Sequence, residues 1–443
     1  MKVVKRKKKY PFRLGCEQEF GFYESKHCAF LDGKLRSGVG FETLEEFESE
    51  QILEFLVENT VQAVWVGGQK VNGSYEPVCF VLNSQGRLSL LGGKYGEVLS
   101  HCGVYFAGGA TLTAVYEESE PLMLAAQGKN GIYTVRRNGE SMLTCSGETG
   151  KLSAFLHGRL YFANEYELCF TPPFEFLQSE RDGDNTGKIV VDRTLGRIVS
   201  LVVFGEKLFV LQEYGAFFLE GGGSLRDFAV KKVQRLGGKA VGGGVAIGNE
   251  IVYLCEDGLY KRGEHQDGML LSDRIEEVDF TNPIFAGAVE SGYRLAFSDK
   301  NGVNKVRIFD LKSGDFYESF PLQAACGVGM TYGVLNGKIV KLVRGGALPE
   351  GESRLAVSYP TGFGSTKEKT LRKVVVYGQG NAVVTVRSER GFKVFHLDLI
   401  KGGEAKFALK GKVFEVELLL GENTALEEIE VEFDEVEGMQ SGN

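Results

Sequence analysis

The sequence predicts an all-β chain: a β-propeller of six to eight blades followed by a small C-terminal β-sandwich-like domain. Three observations carry this. A unit of glycine turn plus apolar strand recurs about every 45 residues through the middle of the chain. Helical periodicity is nearly absent. Beyond about residue 350 the repeat gives way to strands in which apolar and charged residues alternate.

Composition sets the frame. The chain has 443 residues, 43% hydrophobic and 25% charged, enough to build a sizeable core and too apolar for global disorder. Sixty glycines against nine prolines point to many tight turns rather than to a linker or a collagen. No apolar run approaches the ~18 residues that cross a membrane as a helix. The N-terminal MKVVKRKKKYPFR has charge with no apolar stretch behind it, so it does not read as a secretory signal.

The first element is that basic segment. Residues 1–13 carry seven Lys or Arg and no acid, which leaves the rest of the chain at −15 when the total is −8. A body that acidic repels phosphate in bulk and argues against a duplex-coating protein. Lys5, Arg6, Lys7, Lys8 and Lys9 form a candidate interaction arm, for nucleic acid or an acidic neighbouring subunit, with a solvated, frayed terminus as the alternative. Residues 1–59 are expected to be this arm and a lead-in. Within them, Thr43–Glu58 is the one stretch of helix-like composition, though its Phe and Leu positions fit a strand almost as well.

The propeller is expected over 60–350. The turn-and-strand unit appears at Gly158, Gly205, Gly248, Gly292 and Gly337, spaced by 47, 43, 44 and 45 residues. A second glycine follows ten residues after three of these, at Gly215, Gly258 and Gly302. A glycine at positive φ makes a tight hairpin, and ~6 residues between turns suffice for a strand, so the pattern is a meander. Gly109 and Gly67 extend the spacing backwards, giving about seven units.

The C-terminal domain is expected over 351–443, after the apolar-poor Gly351–Arg354. In its last strand Ile429, Val431 and Phe433 alternate with Glu430, Glu432 and Asp434, which describes a half-buried strand with a solvated acidic face.

The search for chemistry yields no catalytic, cofactor or metal residues. Asp182–Gly187 begins like a calcium loop, but its twelfth position is Arg193 instead of a bidentate Glu. Gly242–Gly244 lacks the Lys-Ser/Thr of a phosphate loop and reads as a strand start or a close backbone approach. The five histidines (His27, His101, His157, His265, His396) share no metal-ligand spacing. Glu117 and Glu118 read as a solvated face, and no nucleophile elbow is present. The eight scattered cysteines form no C-x-x-C and read as buried free thiols in a reducing compartment.

Over most of its length the chain resembles the propeller-containing tail proteins of tailed bacteriophages: the tail nozzle and packaged-DNA stabilisation proteins of short-tailed phages. The resemblance is carried by Phe30–Gly40, by Gly158–Asn164 with the Thr171–Phe174 link, and by Gly196–Val210 and Asn249–Tyr260. At the C-terminal end it is carried by Lys367–Val374 and Leu409–Val416. These are patterns of apolar strands and glycines with no single diagnostic motif, and the chain lacks the large insertions of some nozzle proteins.

The resemblance implies a non-enzymatic virion subunit, assembled in the host bacterial cytoplasm. It would form a ring, commonly of six copies, below the portal and head–tail adaptor and beside tail fibres or spikes. DNA would pass through the channel only transiently, and no cofactor is implied. An acidic lumen would let DNA slide without sticking. Two other readings remain open: a cytosolic propeller scaffold that binds a protein through one face, and a propeller hydrolase or lyase with a dispersed site.

Overall fold

The computed structural model describes residues 5–12, 22–31, 34–71, 74–92, 97–106, 110–117, 120–127, 131–135, 141–145, 152–174, 187–221, 227–233, 236–282, 284–290, 292–326 and 331–436. The chain divides into two compact units. One comprises Met1–Glu42, Val306–Phe320 and Val343–Asn443; the other comprises Thr43–Lys305 and Pro321–Leu342.

The first unit begins with β1 (Lys5–Phe12), β2 (Phe22–Lys26), β3 (Cys28–Leu31), β4 (Lys34–Ser37) and β5 (Val39–Thr43). The second begins with a one-turn 3-10 segment and the helix α1 (Glu50–Glu58). Ser49 caps α1, its hydroxyl accepting from the Ile52 N–H at 3.3 Å, and the helix buries Ile52 and Leu56 four residues apart on one face. Helix, not strand, is therefore what Glu50–Glu58 of this stretch form, while Thr43 ends β5: the cap and the four-residue spacing decide it.

Five four-stranded antiparallel meanders follow α1 in chain order. They are β6 (Val61–Val71) to β9 (Glu97–Tyr105) through β7 (Ser74–Asn83) and β8 (Arg87–Gly92), then β10 (Thr111–Glu117), β11 (Glu120–Gln127), β12 (Gly131–Val135) and β13 (Ser141–Cys145). The third is β14 (Leu152–Leu156), β15 (Arg159–Asn164), β16 (Glu167–Phe170) and β17 (Gly187–Val190); the fourth is β18 (Ile198–Phe204), β19 (Lys207–Gln212), β20 (Ala216–Glu220) and β21 (Ala229–Val233). The fifth is β22 (Ala240–Ile247), β23 (Glu250–Cys255), β24 (Gly258–Arg262) and β25 (Met269–Ser272). The hairpin β26 (Phe285–Val289) and β27 (Gly292–Ser298) comes next. The strands β28 (Asn304–Asp310) and β29 (Phe316–Ser319) then lead to β30 (Ala324–Cys326), β31 (Tyr332–Leu335) and β32 (Lys338–Arg344).

The second unit thus holds seven strand groups in succession, and it closes on itself. The first strands of neighbouring groups lie side by side from β6 through β10, β14, β18 and β22 to β26, and β30 lies against β6. Between β26 and β31 the Thr331 hydroxyl donates to the Ala288 carbonyl at 2.6 Å. Separate apolar layers fill the space between successive sheets; Phe209, Leu211, Tyr253 and Cys255, for example, join the fourth to the fifth. The layer that closes the ring gathers Phe47, Ile52 and Leu56 with Val64, Val81, Val334 and Ile339. This is a β-propeller, as expected.

The repeat is read correctly in most copies. Gly158, Gly205 and Gly248 sit at positive φ between the first and second strands of their sheets, and Gly292 opens the second strand of its hairpin. Two copies depart. Gly337 lies between the second and third strands of its group, because β30 starts only 39 residues after β26. Gly67 lies inside β6, where it approaches the Trp65 ring, and is no turn; Gly109 falls outside the described residues.

The first unit is a two-sheet sandwich. Its later strands are β33 (Arg354–Ser358), β34 (Lys369–Gln379), β35 (Asn381–Ser388), β36 (Gly391–Asp398), β37 (Gly403–Gly411), β38 (Phe414–Leu420) and β39 (Ala425–Val436). One sheet runs β3-β4-β39-β34-β37 with β1 also on β39; the other runs β28-β29-β2-β33-β38-β35-β36. Phe22, Phe30 and Leu35 from the start of the chain share one core with Leu371, Val384, Phe414 and Phe433 from its end. The expected boundaries at 59/60 and 350/351 therefore give way to a different division. Residues 1–42 are not a lead-in but four strands of the sandwich, since pairing between distant segments leaves no local mark.

Strand β39 buries Ile429, Val431 and Phe433 as its alternation requires. The acidic face is less solvated than expected: Glu432 and Glu435 are buried, lying opposite Lys373 and Lys369 of β34.

Candidate interaction surfaces

The basic arm is an ordered strand. β1 pairs antiparallel with β39 over eight residues, which places Arg6 opposite Glu435, Lys7 opposite Asp434 and Lys9 opposite Glu432; Lys5 faces Val436 and Lys8 faces Phe433. The most basic stretch of the chain is thus paired in register with one of its most acidic. The expected choice between a frayed terminus and a contact arm omitted this third outcome, an internal β-partner. Only the distant acidic alternation of 428–435 hinted at it.

A second surface lies at the far end of the other sandwich sheet. Among the described residues β36 is an end strand, paired with β35 alone. On one face it exposes Phe392, Val394 and His396, with Phe392 60% and Val394 46% accessible. Arg387, opposite Phe392 in register, holds its guanidinium 5.7 Å from that ring and pairs with Glu417 at 2.9 Å. Ile400 follows in the 3-10 turn after β36 and is 80% exposed. An unpaired strand edge flanked by exposed apolar side chains is a ready surface for another chain. Sequence reasoning missed it because Gly391–Asp398 reads as one more strand, and its position at the end of a sheet is a property of topology.

Among the described side chains the histidines are not brought together. His27 is buried, at φ +52° between β2 and β3; its Nε2 lies 3.2 Å from Glu352, which Lys26 also engages at 2.6 Å. Burial pushes the His27 imidazole below its ordinary range, against the raising effect of Glu352. His157 occupies a turn, its Nε2 3.0 Å from the Glu206 carbonyl oxygen; His265 and His396 are exposed. His101 lies in β9. Among the described residues no group of three His, Cys, Asp or Glu gathers to hold a metal. Asp182–Thr186 and Glu118 lie outside the described residues. Gly243 and Gly244 are, as expected, points of close approach: a Cβ would meet the Tyr293 hydroxyl at 2.6 Å and the Ser200 hydroxyl at 2.5 Å.

The described cysteines are free thiols, as expected, but only three of them are fully buried; Cys169 and Cys326 are half-buried. Cys28, Cys79 and Cys255 are buried free thiols, and burial raises the Cys255 thiol to about 12.

The first strands of the propeller groups carry little charge: no Asp, Glu, Lys, Arg or His occurs in β14, β18, β22, β26 or β30, whereas β6 holds Lys70 and β10 holds Glu117. Most of the acidity of the chain therefore resides elsewhere than on these strands. No helix among the described residues is long and apolar enough to cross a membrane.

No family model and no curated protein matches the chain. Among solved structures it is similar to PorZ, a surface component of the type-IX secretion system of Porphyromonas gingivalis. The identity is 11% and the TM-score 0.41, with 76% of this chain and 46% of that one covered. It is also similar to BBS1N in complex with ARL6DN, soaked with lead (12% identity, TM-score 0.41, covering 67% and 95%) or with mercury (12%, 0.42, 66% and 95%). The chain thus spans less than half the length of the PorZ chain.

Proposed function

We propose that the chain is a structural assembly subunit and, following the resemblance in its sequence, a tail nozzle or packaged-DNA stabilisation protein that forms a ring with copies of itself below a phage portal and adaptor. The observation that supports assembly is β36: an unpaired edge with Phe392 and Val394 exposed beside it offers a lateral contact. A closed propeller whose sheets are locked by apolar layers suits a part that bears load without changing shape. Because the first strands of the groups carry only Lys70 and Glu117 as charges, an acidic path for DNA would be formed between copies, not along the axis of one propeller.

Electron-microscopy class averages of the purified chain, alone and with the portal and adaptor proteins encoded by neighbouring genes, test this reading. Symmetric rings of the chain, alone or on the adaptor, are expected. A chain that stays monomeric in both conditions would overturn the ring.

A second reading, a propeller scaffold that binds an unrelated protein, draws on the same apolar edge. It predicts a monomer with one partner bound at β36 and no rings. The hydrolase or lyase reading has no side-chain cluster among the described residues that favours it.

A further inference from the structure

We infer that the open side of the sandwich docks the helix α1 of a neighbouring copy of this chain, an inference that rests on the ring reading above and names the contact that builds the ring. A ring needs two different faces on each chain that fit one another. A head-to-tail contact repeats around an axis, whereas a self-complementary one stops at two copies.

The first face is the side of the sandwich where its two sheets end. Among the described residues β37 is the end strand of its sheet, paired with β34 alone, as β36 is of the other. The two end strands meet through the Phe395 and Phe407 rings, whose centroids are 4.8 Å apart. The Ser388 hydroxyl donates to the Lys410 carbonyl at 2.9 Å, and the Lys412 N–H donates to Glu389 at 2.6 Å, so the β35–β36 turn lies against the end of β37. Lys393, Lys410 and Lys412 are exposed there, and none of these three ammonium groups has an acidic partner among the described residues. Phe392, Val394 and Val413 are exposed in the same strands and turn. In a chain of net charge −8, residues 367–412 hold eleven Lys or Arg against four Asp or Glu.

This edge is poorly made for a further strand. By alternation Lys393 shares a strand face with Phe395 and the buried Leu397, the face that meets the sandwich core. An added strand would cover that lysine without an acid, and a charge so placed at an edge opposes strand pairing. A helix bearing carboxylates covers the edge and answers the charge.

The second face is α1. Residues 43–58 hold six Glu and no basic residue. With Ile52 and Leu56 turned inward, Glu50, Glu54 and Glu58 stand exposed at four-residue intervals, a row about 12 Å long at ~1.5 Å per residue. Val57, 75% exposed, lies beside them. Glu48 pairs with Lys338 at 3.1 Å, but Glu50, Glu54 and Glu58 meet no basic side chain among the described residues. Each face thus carries unanswered charge of one sign around exposed apolar side chains, and the signs are opposite.

The test follows the full chain by analytical ultracentrifugation and electron microscopy at about 0.05 M and about 0.5 M salt. The native protein should form rings at low salt and lose them at high salt. K393E/K410E/K412E and E50K/E54K/E58K should each weaken association at least about tenfold. Mixing the two variants should restore it, since the acidic edge of one then meets the basic helix of the other; a fold defect would not be rescued in this way. Should a reversed set fail to fold, Gln at the same positions decides, with weakened association expected. Rings that survive both sets, or a mixture that associates no better than its components, would overturn this contact and leave the ring standing. A native chain that stays monomeric at low salt, with and without portal and adaptor, removes both.

Discussion

The backbone N–H of Leu44 donates to the carbonyl of Ile339 at 3.0 Å, so a residue just ahead of the first propeller sheet is stitched to a strand of the last group. Around that bond α1 buries Ile52 and Leu56 against β6 and β32, and this layer is what turns a row of sheets into a ring. Ring closure by packing, without a covalent link, makes the stability of every sheet depend on one apolar seam.

Truncation at the seam should therefore be costly. Leu56→Ala and Ile339→Ala each remove a fully buried side chain, and each is expected to lose about 2–5 kcal/mol. Urea denaturation followed by circular dichroism measures this; a loss below about 1 kcal/mol would show that the seam does not hold the ring.

Turn glycines should differ in what they tolerate. Gly205 has φ +57° with nothing within 4 Å of an added Cβ, so only backbone strain opposes substitution. Gly205→Val should cost about 1–2 kcal/mol and Gly205→Asn markedly less, because Asn enters the left-handed region more readily. Equal melting temperatures for the two variants would contradict the turn geometry.

Acid should act on the sandwich through His27. Its folded pKa is held below the ordinary value near 6.5 by burial, so the unfolded chain binds the proton more readily. The contribution is complete above about pH 6.5 and falls as pH drops through that value towards the lower folded pKa. Glu352, held below the usual carboxylate range by Lys26 and then by His27, adds a second loss below about pH 4.5. The groups facing His27 include Glu352, Lys26 and Arg354. Comparison of urea midpoints at pH 7.5 and 5.5 should show a decline that is reduced in His27→Asn, a residue that also accepts φ +52°. An undiminished decline would assign the effect elsewhere.

Neutralising the arm separates its two roles. Replacing Lys5, Arg6, Lys7, Lys8 and Lys9 together by Gln removes three opposite-charge registers with β39, each worth roughly 0.2–1 kcal/mol. The chain should lose stability in low salt, with the difference from the native protein shrinking at 1 M salt. Unchanged stability combined with failed assembly would instead make the arm a contact to another molecule.

The glycine turns and apolar strands were legible because a hairpin is a local event: Gly158, Gly205 and Gly248 must take a positive φ whatever surrounds them. Where closure shortened the last group, the same period pointed at the wrong turn, Gly337. The candidate surfaces were legible only in part. The basic run at Lys5–Lys9 is plain in the sequence, but its partner lies more than 400 residues away.

The chain's letters alone determined an all-β fold, a repeated meander and an alternating C-terminal domain, because turn chemistry and side-chain periodicity act over a few residues. Tertiary structure decided the rest. It folded residues 1–42 into the sandwich, set the basic strand on an acidic one and left β36 at an edge. Pairing between distant strands is chosen by the burial and backbone hydrogen bonding of the whole, and no short stretch of sequence records it.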